Sequence, residues 1–386
     1  MSASGLLAQL LNGLASASSL FLVSVGLSLI FGVTRTINFA HGSFFMLGAY
    51  LAFTSVETLA PSLGLPEQPL RPAGGAARTA WAVLLLGLVL LPLAAGQDSY
   101  ATVLLTDMLI AALFAASLHC ILGPGGLHSF GHAAYFGLGA YGAALAVRAL
   151  DLPMEAALLL GPLAAVAGAL LYGWFCVRLS GVNQAWLTLA FAQITWAIVF
   201  QWDAVTGGSN GLTGVWPSTW ADQGAAFYWL ALAVCAAGLY LLRRLLFAPL
   251  GYALRAARDS AVRADAIGLD VRRIQWTALV VAAGFAGVAG ALFVFSKGSV
   301  APDSLGVTRS VDALVMVLLG GIQTLAGPVV GSAAFTWLHD TVARNTDYWR
   351  ALMGAIMLLL VLLFPQGLAG SAQWLGRRLA RCGGGA

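Results

Sequence analysis

The sequence predicts an all-α polytopic membrane protein with about 9–11 membrane segments, and three observations predict it. Hydrophobic residues make up 60% of the 386-residue chain, and charged residues 9%, against about a quarter in an average soluble protein. The apolar residues gather into long stretches, most of them near the ~20 residues that span a bilayer. The roughly ten-residue alternating segments of a membrane β-barrel are missing from the sequence. The composition excludes an ordinary soluble globular protein. It also excludes intrinsic disorder, which requires low hydrophobicity and high charge.

The apolar stretches lie near 6–33, 39–60, 80–96, 102–122, 130–148, 154–177, 184–202, 226–247, 276–296, 309–340 and 350–364. The 80–96 stretch is short for a span. The 309–340 stretch is interrupted by Gly320-Gly321 and Gly327-Pro328, so it reads as a re-entrant pair of half-length pieces. The N-terminus has no positive n-region, and its apolar run is too long for a cleavable signal peptide. Cys120, Cys176, Cys235 and Cys382 are scattered with no metal or disulfide spacing, so no metal site is expected and the cysteines read as small apolar packers.

Arginine sets the expected orientation, because cytoplasmic loops are enriched in Lys and Arg. Arg243, Arg244, Arg255, Arg258, Arg263, Arg272 and Arg273 crowd one loop, which is therefore placed in the cytoplasm. The C-terminal Arg377, Arg378 and Arg381 belong there too. Residues 203–225 contain no Lys or Arg and face the other side. Counting outward puts 61–79, 123–129 and 178–183 inside. Arg148, Lys297, Arg309, Arg344 and Arg350 are left outside. The 309–340 stretch must then dip in from the outside and return.

Two stretches match at a fixed offset: FAHGSFFMLGAY at 39–50 and FGHAAYFGLGAY at 130–141. Seven of the twelve positions are identical, including His41/His132 and Tyr50/Tyr141. The chain thus contains parts of two related membrane units. The parts are unequal. Residues 1–60 form a partial unit of two membrane segments, 61–79 a linker rich in Pro and Gly, 80–376 a full unit, and 377–386 a basic tail. The charge rule and the repeat conflict around Arg35, Arg71 and Arg78. Either 39–60 is re-entrant, or 80–96 does not span, or the first unit is a remnant without its later helices. The remnant reading is preferred.

Several motifs carry a family resemblance. They are GHAAYFGLGAY at 131–141, LTLAFAQI at 187–194, TGGSNGLTG at 206–214 and LRAARDSAVRADAIGLDV at 254–271. AGFAGVAGALF at 283–293 and VMVLLGGIQTLAGPVVGS at 315–332 complete the set. With them, residues 80–386 resemble one of the two permease types of branched-chain amino-acid ABC importers, the M type. Residues 1–60 resemble the start of the H type through GLSLIFGVTRTINFAHGSFFMLGAY at 26–50. The resemblance implies the ABC importer permease fold. It also implies transport of branched-chain amino acids across a bacterial inner membrane, with no catalytic residues and no cofactor in this chain. ATP would be bound by separate ATPase subunits. The expected partners are those subunits, a second permease subunit of the H type, a periplasmic substrate-binding protein and the lipid bilayer, with no nucleic acid.

Within the loop 248–275, residues 251–271 read as one short amphipathic helix, and the resemblance makes it the coupling helix that docks on an ATPase. Its candidate residues are Arg255, Ala256, Arg258, Asp259, Ala264 and Gly268. Small residues let such a helix sit in a partner's groove, and Asp259 and Asp265 are spaced to pair with its arginines. His41, His132, Tyr141 and Asn210 are candidates for lining the pathway or for holding structure. The histidines are suited to bonding broken backbone at membrane depth. Asp107 and His119 share one span about 18 Å apart along it, too far to pair. Their place in the membrane makes them functional candidates. The glycine-rich 283–293 stretch permits close helix packing.

Substrate is the least determined feature, and an importer of urea or short amides from the same family is the alternative. An ion-coupled secondary transporter would need more charged residues at mid-membrane. A membrane enzyme would need His, Asp or Ser clustered at one face, whereas the five histidines are dispersed.

Overall fold

The computed structural model describes residues 100–221, 225–322, 324, 326–345, 352, 354–356 and 367. The partial unit at 1–60 with His41, the linker, the 80–96 stretch and the basic tail lie outside the described residues.

Helix α1 (Tyr100–Leu122) is mostly apolar, with Asp107, Ser117 and His119 among its polar residues. After a loop comes α2 (His132–Leu150), then α3 (Met154–Cys176). Only three residues join α2 to α3. Asp151 adopts φ 48°, the left-handed conformation that closes a helix, and Pro153 caps the next one. Helix α4 (Val182–Gln201) is followed across an 80° bend at Trp202 by the single turn α5 (Asp203–Thr206) and a 3-10 turn at Gly208–Asn210. Helix α6 (Ala226–Leu246) leads to two short helices, α7 (Pro249–Asp259) and α8 (Ala261–Ala266). Helix α9 (Val271–Lys297) is the longest described, and α10 (Val307–Gly320) and α11 (Gly327–Asn345) complete the set. Among the described residues, α1, α2, α3, α6 and α9 are each long and apolar enough to cross a membrane. The bent α4 pair makes a sixth.

Helix α9 is the centre of the bundle and packs against α1, α2 and α3. Its glycines explain how closely it does so. A Cβ at Gly139 of α2 would strike the backbone of Gly287 on α9. One at Gly290 would strike the Phe136 carbonyl, and one at Gly287 would stand 2.6 Å from Ala165 Cβ of α3. Backbone is thus laid on backbone where small residues recur three and four apart, the packing expected for 283–293. Side chains fill around this junction: Phe114, Phe136, Leu118 and Leu279 are fully buried.

The described ends of the helices sort into two levels. At one level Lys297 Nζ meets Asp107 Oδ2 at 2.7 Å, the two-residue strands β1 (Leu212–Thr213) and β2 (Ser299–Val300) pair antiparallel, and Arg344 sits 3.8 Å over the Tyr100 ring. At the other, Arg258 reaches Gly123 and Trp276 reaches Leu170. The grouping keeps together the ends that the arginine rule assigns to the same side.

The α10–α11 pair dips and returns, but its halves are unequal. Fourteen residues make α10, while the nineteen of α11 run back along α1. The tip at Ile322 lies beside the last turn of α1, where its carbonyl accepts a 2.7 Å hydrogen bond from His119 Nε2. Glycine allows the pair to close, since a Cβ at Gly331 or Gly320 would strike the facing backbone.

Candidate coupling elbow and membrane-depth site

Two corrections apply to the loop expected at 248–275. Its last residues already belong to α9, which starts at Val271 behind the N-cap Asp270. The Asp270 carboxylate accepts from Arg273 N at 3.1 Å. The expected single helix over 251–271 is instead an elbow of two, broken at Ser260. Ser260 takes an extended φ of −164° and its hydroxyl accepts from Arg263 N, so it ends α7 and caps α8.

Helix α7 is bolted to the bundle. Pro249 opens it, and Leu254 and Ala257 are buried beneath it. Arg255 donates to the Leu246 carbonyl at the end of α6 and lies 4.9 Å over the Tyr252 ring. Arg258 Nη1 donates to the Gly123 carbonyl at 2.9 Å, and its Nη2 pairs with Asp259 at the same distance. Gly123 N bonds back to the His119 carbonyl, and His119 holds the hairpin tip at Ile322. Arg255 and Arg258 therefore tie the elbow to α1, α6 and the hairpin, and Ala256 is half-buried beside them.

Helix α8 stands out from the bundle. Only Ala264 is buried. Gly268 and Leu269 close α8 by donating to the Asp265 and Ala264 carbonyls at 2.9 and 3.0 Å. Gly268 has φ 88°, so the Ala264–Gly268 spacing is that of a helix C-cap. Around it Val262 is 81% exposed and Ile267 75%. Residue-type reasoning passed over both. The available signal was that Val262 and Ile267, with Leu269, are the large apolar side chains in an otherwise small and charged run, AVRADAIGLD. Replacing Gly268 by Leu forces a side chain into a left-handed position at a cost of about 1–2 kcal/mol. The end of α8 should fray and uptake should fall, while insertion is unchanged. Gly268→Asn should keep more activity, because Asn tolerates that conformation. Uptake and membrane-fraction yield of the two variants check this.

The other candidates lie apart. His132 begins α2 inside the bundle. Its Nε2 lies 2.8 Å from Ser117 Oγ, which itself donates to the Phe114 carbonyl, so the imidazole donates. The first turn of α2 is buried, and N–H groups in it and just before it find hydroxyls on other helices. Phe130 N donates to Thr188 Oγ1 at 3.1 Å and Ala133 N to Ser310 Oγ at 2.9 Å. His132 thus serves to lock α1 to α2. His119 is the histidine that bonds backbone at an interrupted hairpin. Tyr141 is buried, and its hydroxyl has no hydrogen-bond partner among the described residues. Asn210 is exposed at the level of Lys297. Gly207, Gly208, Gly211 and Gly214 around it all have positive φ between 55° and 83°, which accounts for the composition of TGGSNGLTG. Asp107, unpaired with His119 as expected, pairs through Oδ2 with Lys297.

The helix order, the central glycine junction and the arginine-bearing elbow invite comparison with known transport proteins. Residues 9–97 and 100–361 match the family described as branched-chain amino acid transport system / permease component. The chain belongs to this family. It is 28% identical over 290 residues to the high-affinity branched-chain amino acid transport system permease protein LivM of Escherichia coli (strain K12), covering 68% of each chain. It is 26% identical over 369 residues to the permease protein BraD of Pseudomonas aeruginosa, and 21% over 366 residues to the permease protein LivH of Escherichia coli (strain K12). Both alignments cover 94% of this chain and 95% of the relative. No solved structure matches the chain. Membership fixes the chain as a multi-pass transmembrane permease, a transport protein rather than an enzyme.

Proposed function

We propose that this permease is the M-type membrane subunit of an ABC importer that moves branched-chain amino acids across a bacterial inner membrane. The observation that carries the proposal is the elbow. One arm is fixed to the ends of α1 and α6 and, through Gly123 and His119, to the α10–α11 hairpin. The other arm presents Val262 and Ile267 with little cover from the described residues. A rigid arm bearing two apolar knobs on the arginine-rich side is suited to the groove of an ATPase. Movement of that groove on nucleotide binding then turns α1 and the hairpin as a body.

ATP is bound by the partner ATPase subunits in this reading. A second permease of the H type completes the pathway, a periplasmic binding protein delivers cargo at the Asn210 side, and the C-terminus is cytoplasmic. An Ile267→Cys variant carrying a short thiol-reactive photocross-linker tests the docking. Capture of an ATPase subunit in intact membranes supports it, and capture of lipid alone contradicts it. Residues 80–386 alone should support uptake if residues 1–60 are a remnant. Uptake by the full chain only would make the first segments working helices.

A further inference from the structure

The exposed faces of α3 and α4 are both largely apolar, with Trp186, Ile194 and Ile198 open on α4, but they differ by one amide. Beyond its first turn, the outward side of α3 is wholly apolar, with Leu163, Leu170, Leu171 and Trp174 exposed, as a lipid-facing helix requires. Helix α4 exposes the amide of Gln193 halfway along its length. On α10, Thr308 is exposed and Asp312 half-buried. The two helices meet at a seam where Leu189 packs on Val311, flanked by Val307 and Val315. Gln193 lies one turn along α4 from Leu189, and Thr308 and Asp312 bracket Val311. In helical phase all three fall on the open side of the seam. The seam is deep, because Ser310, between Thr308 and Asp312, bonds the buried first turn of α2. Amide and carboxylate groups at that depth are not solvated by lipid tails, so they face water, cargo or protein.

The neighbouring membrane charges have contacts of their own. Asp107 is held by Lys297, and the Arg309 guanidinium lies 5.2 and 5.0 Å over the rings of Phe136 and Phe293. Among the described residues Asp312 makes no hydrogen bond and no close ion pair, and the charge that acts on it is that of Arg309 on the same helix.

We propose that the cleft between α4 and α10 is a cargo site in the translocation pathway, where Asp312 accepts the ammonium group of an amino acid and Gln193 and Thr308 line the wall. This rests on the amino-acid reading above. It adds a site and a recognised group.

The test uses the complete transporter in proteoliposomes, with Cys382→Ser as background because Cys120, Cys176 and Cys235 are buried. Gln193→Cys and Thr308→Cys should react with a membrane-impermeant methanethiosulfonate, and leucine should slow the reaction. Asp312→Asn should raise the KM for leucine at least about tenfold, the size of one lost charge-assisted hydrogen bond. Asp312→Glu should recover much of that loss. Asp340→Asn, on a surface pair with Arg344, should match the wild type. Labelling only by lipid-soluble maleimides, or no labelling, overturns the cleft. Labelling unaffected by leucine, with an unchanged KM, overturns the ammonium site. If the wild type takes up no leucine, the cargo reading fails and the ammonium site with it, whereas the labelling still reports whether the cleft holds water.

Discussion

Replacing Val262 and Ile267 together by aspartate abolishes ATP-driven uptake and leaves the permease folded in the membrane. Both side chains are largely exposed, so the folded chain loses little, within about 0.5 kcal/mol for surface changes of this kind. On docking they are buried, and each apolar side chain of this size contributes about 1.5–3 kcal/mol when fully covered. The double variant removes both terms and places two carboxylates against an apolar groove, where unpaired charge is strongly disfavoured. Association with the ATPase should weaken by about 100-fold or more, since each 1.4 kcal/mol is tenfold. Co-purification with a tagged ATPase reads the binding and uptake reads the consequence. Full activity in this variant would remove α8 as the docking arm.

The second large effect is structural. Gly290→Val should prevent stable assembly of the bundle. The added Cβ meets the Phe136 carbonyl and stands 3.0 Å from Ala140 N, both backbone atoms, so no rotamer change relieves the clash. Helices α2 and α9 must separate, and the effect should reach or exceed the upper end of the roughly 1–3 kcal/mol of ordinary overpacking. Gly284→Ala is the control. Its Cβ meets only Val166 Cγ2, at 3.3 Å, a side-chain atom that can move. Gly284→Ala should give a monodisperse peak in detergent at the wild-type level, and Gly290→Val should aggregate. Equal behaviour would mean that the α2–α9 approach is looser than described.

Much of this architecture is legible in the sequence because membrane helices are set by length and apolarity. The stretches expected at 102–122, 154–177 and 226–247 match α1, α3 and α6 to within two residues at each end. The Gly320-Gly321 and Gly327-Pro328 interruptions mark the ends of α10 and α11 correctly. The break at Ser260 was hidden because RAARDSAVRADA keeps helix-forming residues on both sides of one serine. Its capping role shows only in the extended φ and the bond from Arg263 N.

The site was less legible than the fold. Arg255 and Arg258 look like docking charges in a basic loop, yet their partners are carbonyls of Leu246 and Gly123, at sequence distances no periodicity encodes. Ala264 and Gly268 read as recognition residues, whereas one is buried support and the other a helix terminus. The repeat pointed to His132, but nothing in it singles out Ser117 as the partner. His119, outside the repeat, proves to hold the hairpin.

The account stands or falls on ATP-dependent leucine uptake into proteoliposomes holding the full chain with its ATPases, second permease and binding protein. It predicts accumulation of leucine that requires both ATP and the ATPase subunits. Accumulation driven by an ion gradient without the ATPases would contradict it. So would ATP-driven uptake of urea with no uptake of leucine.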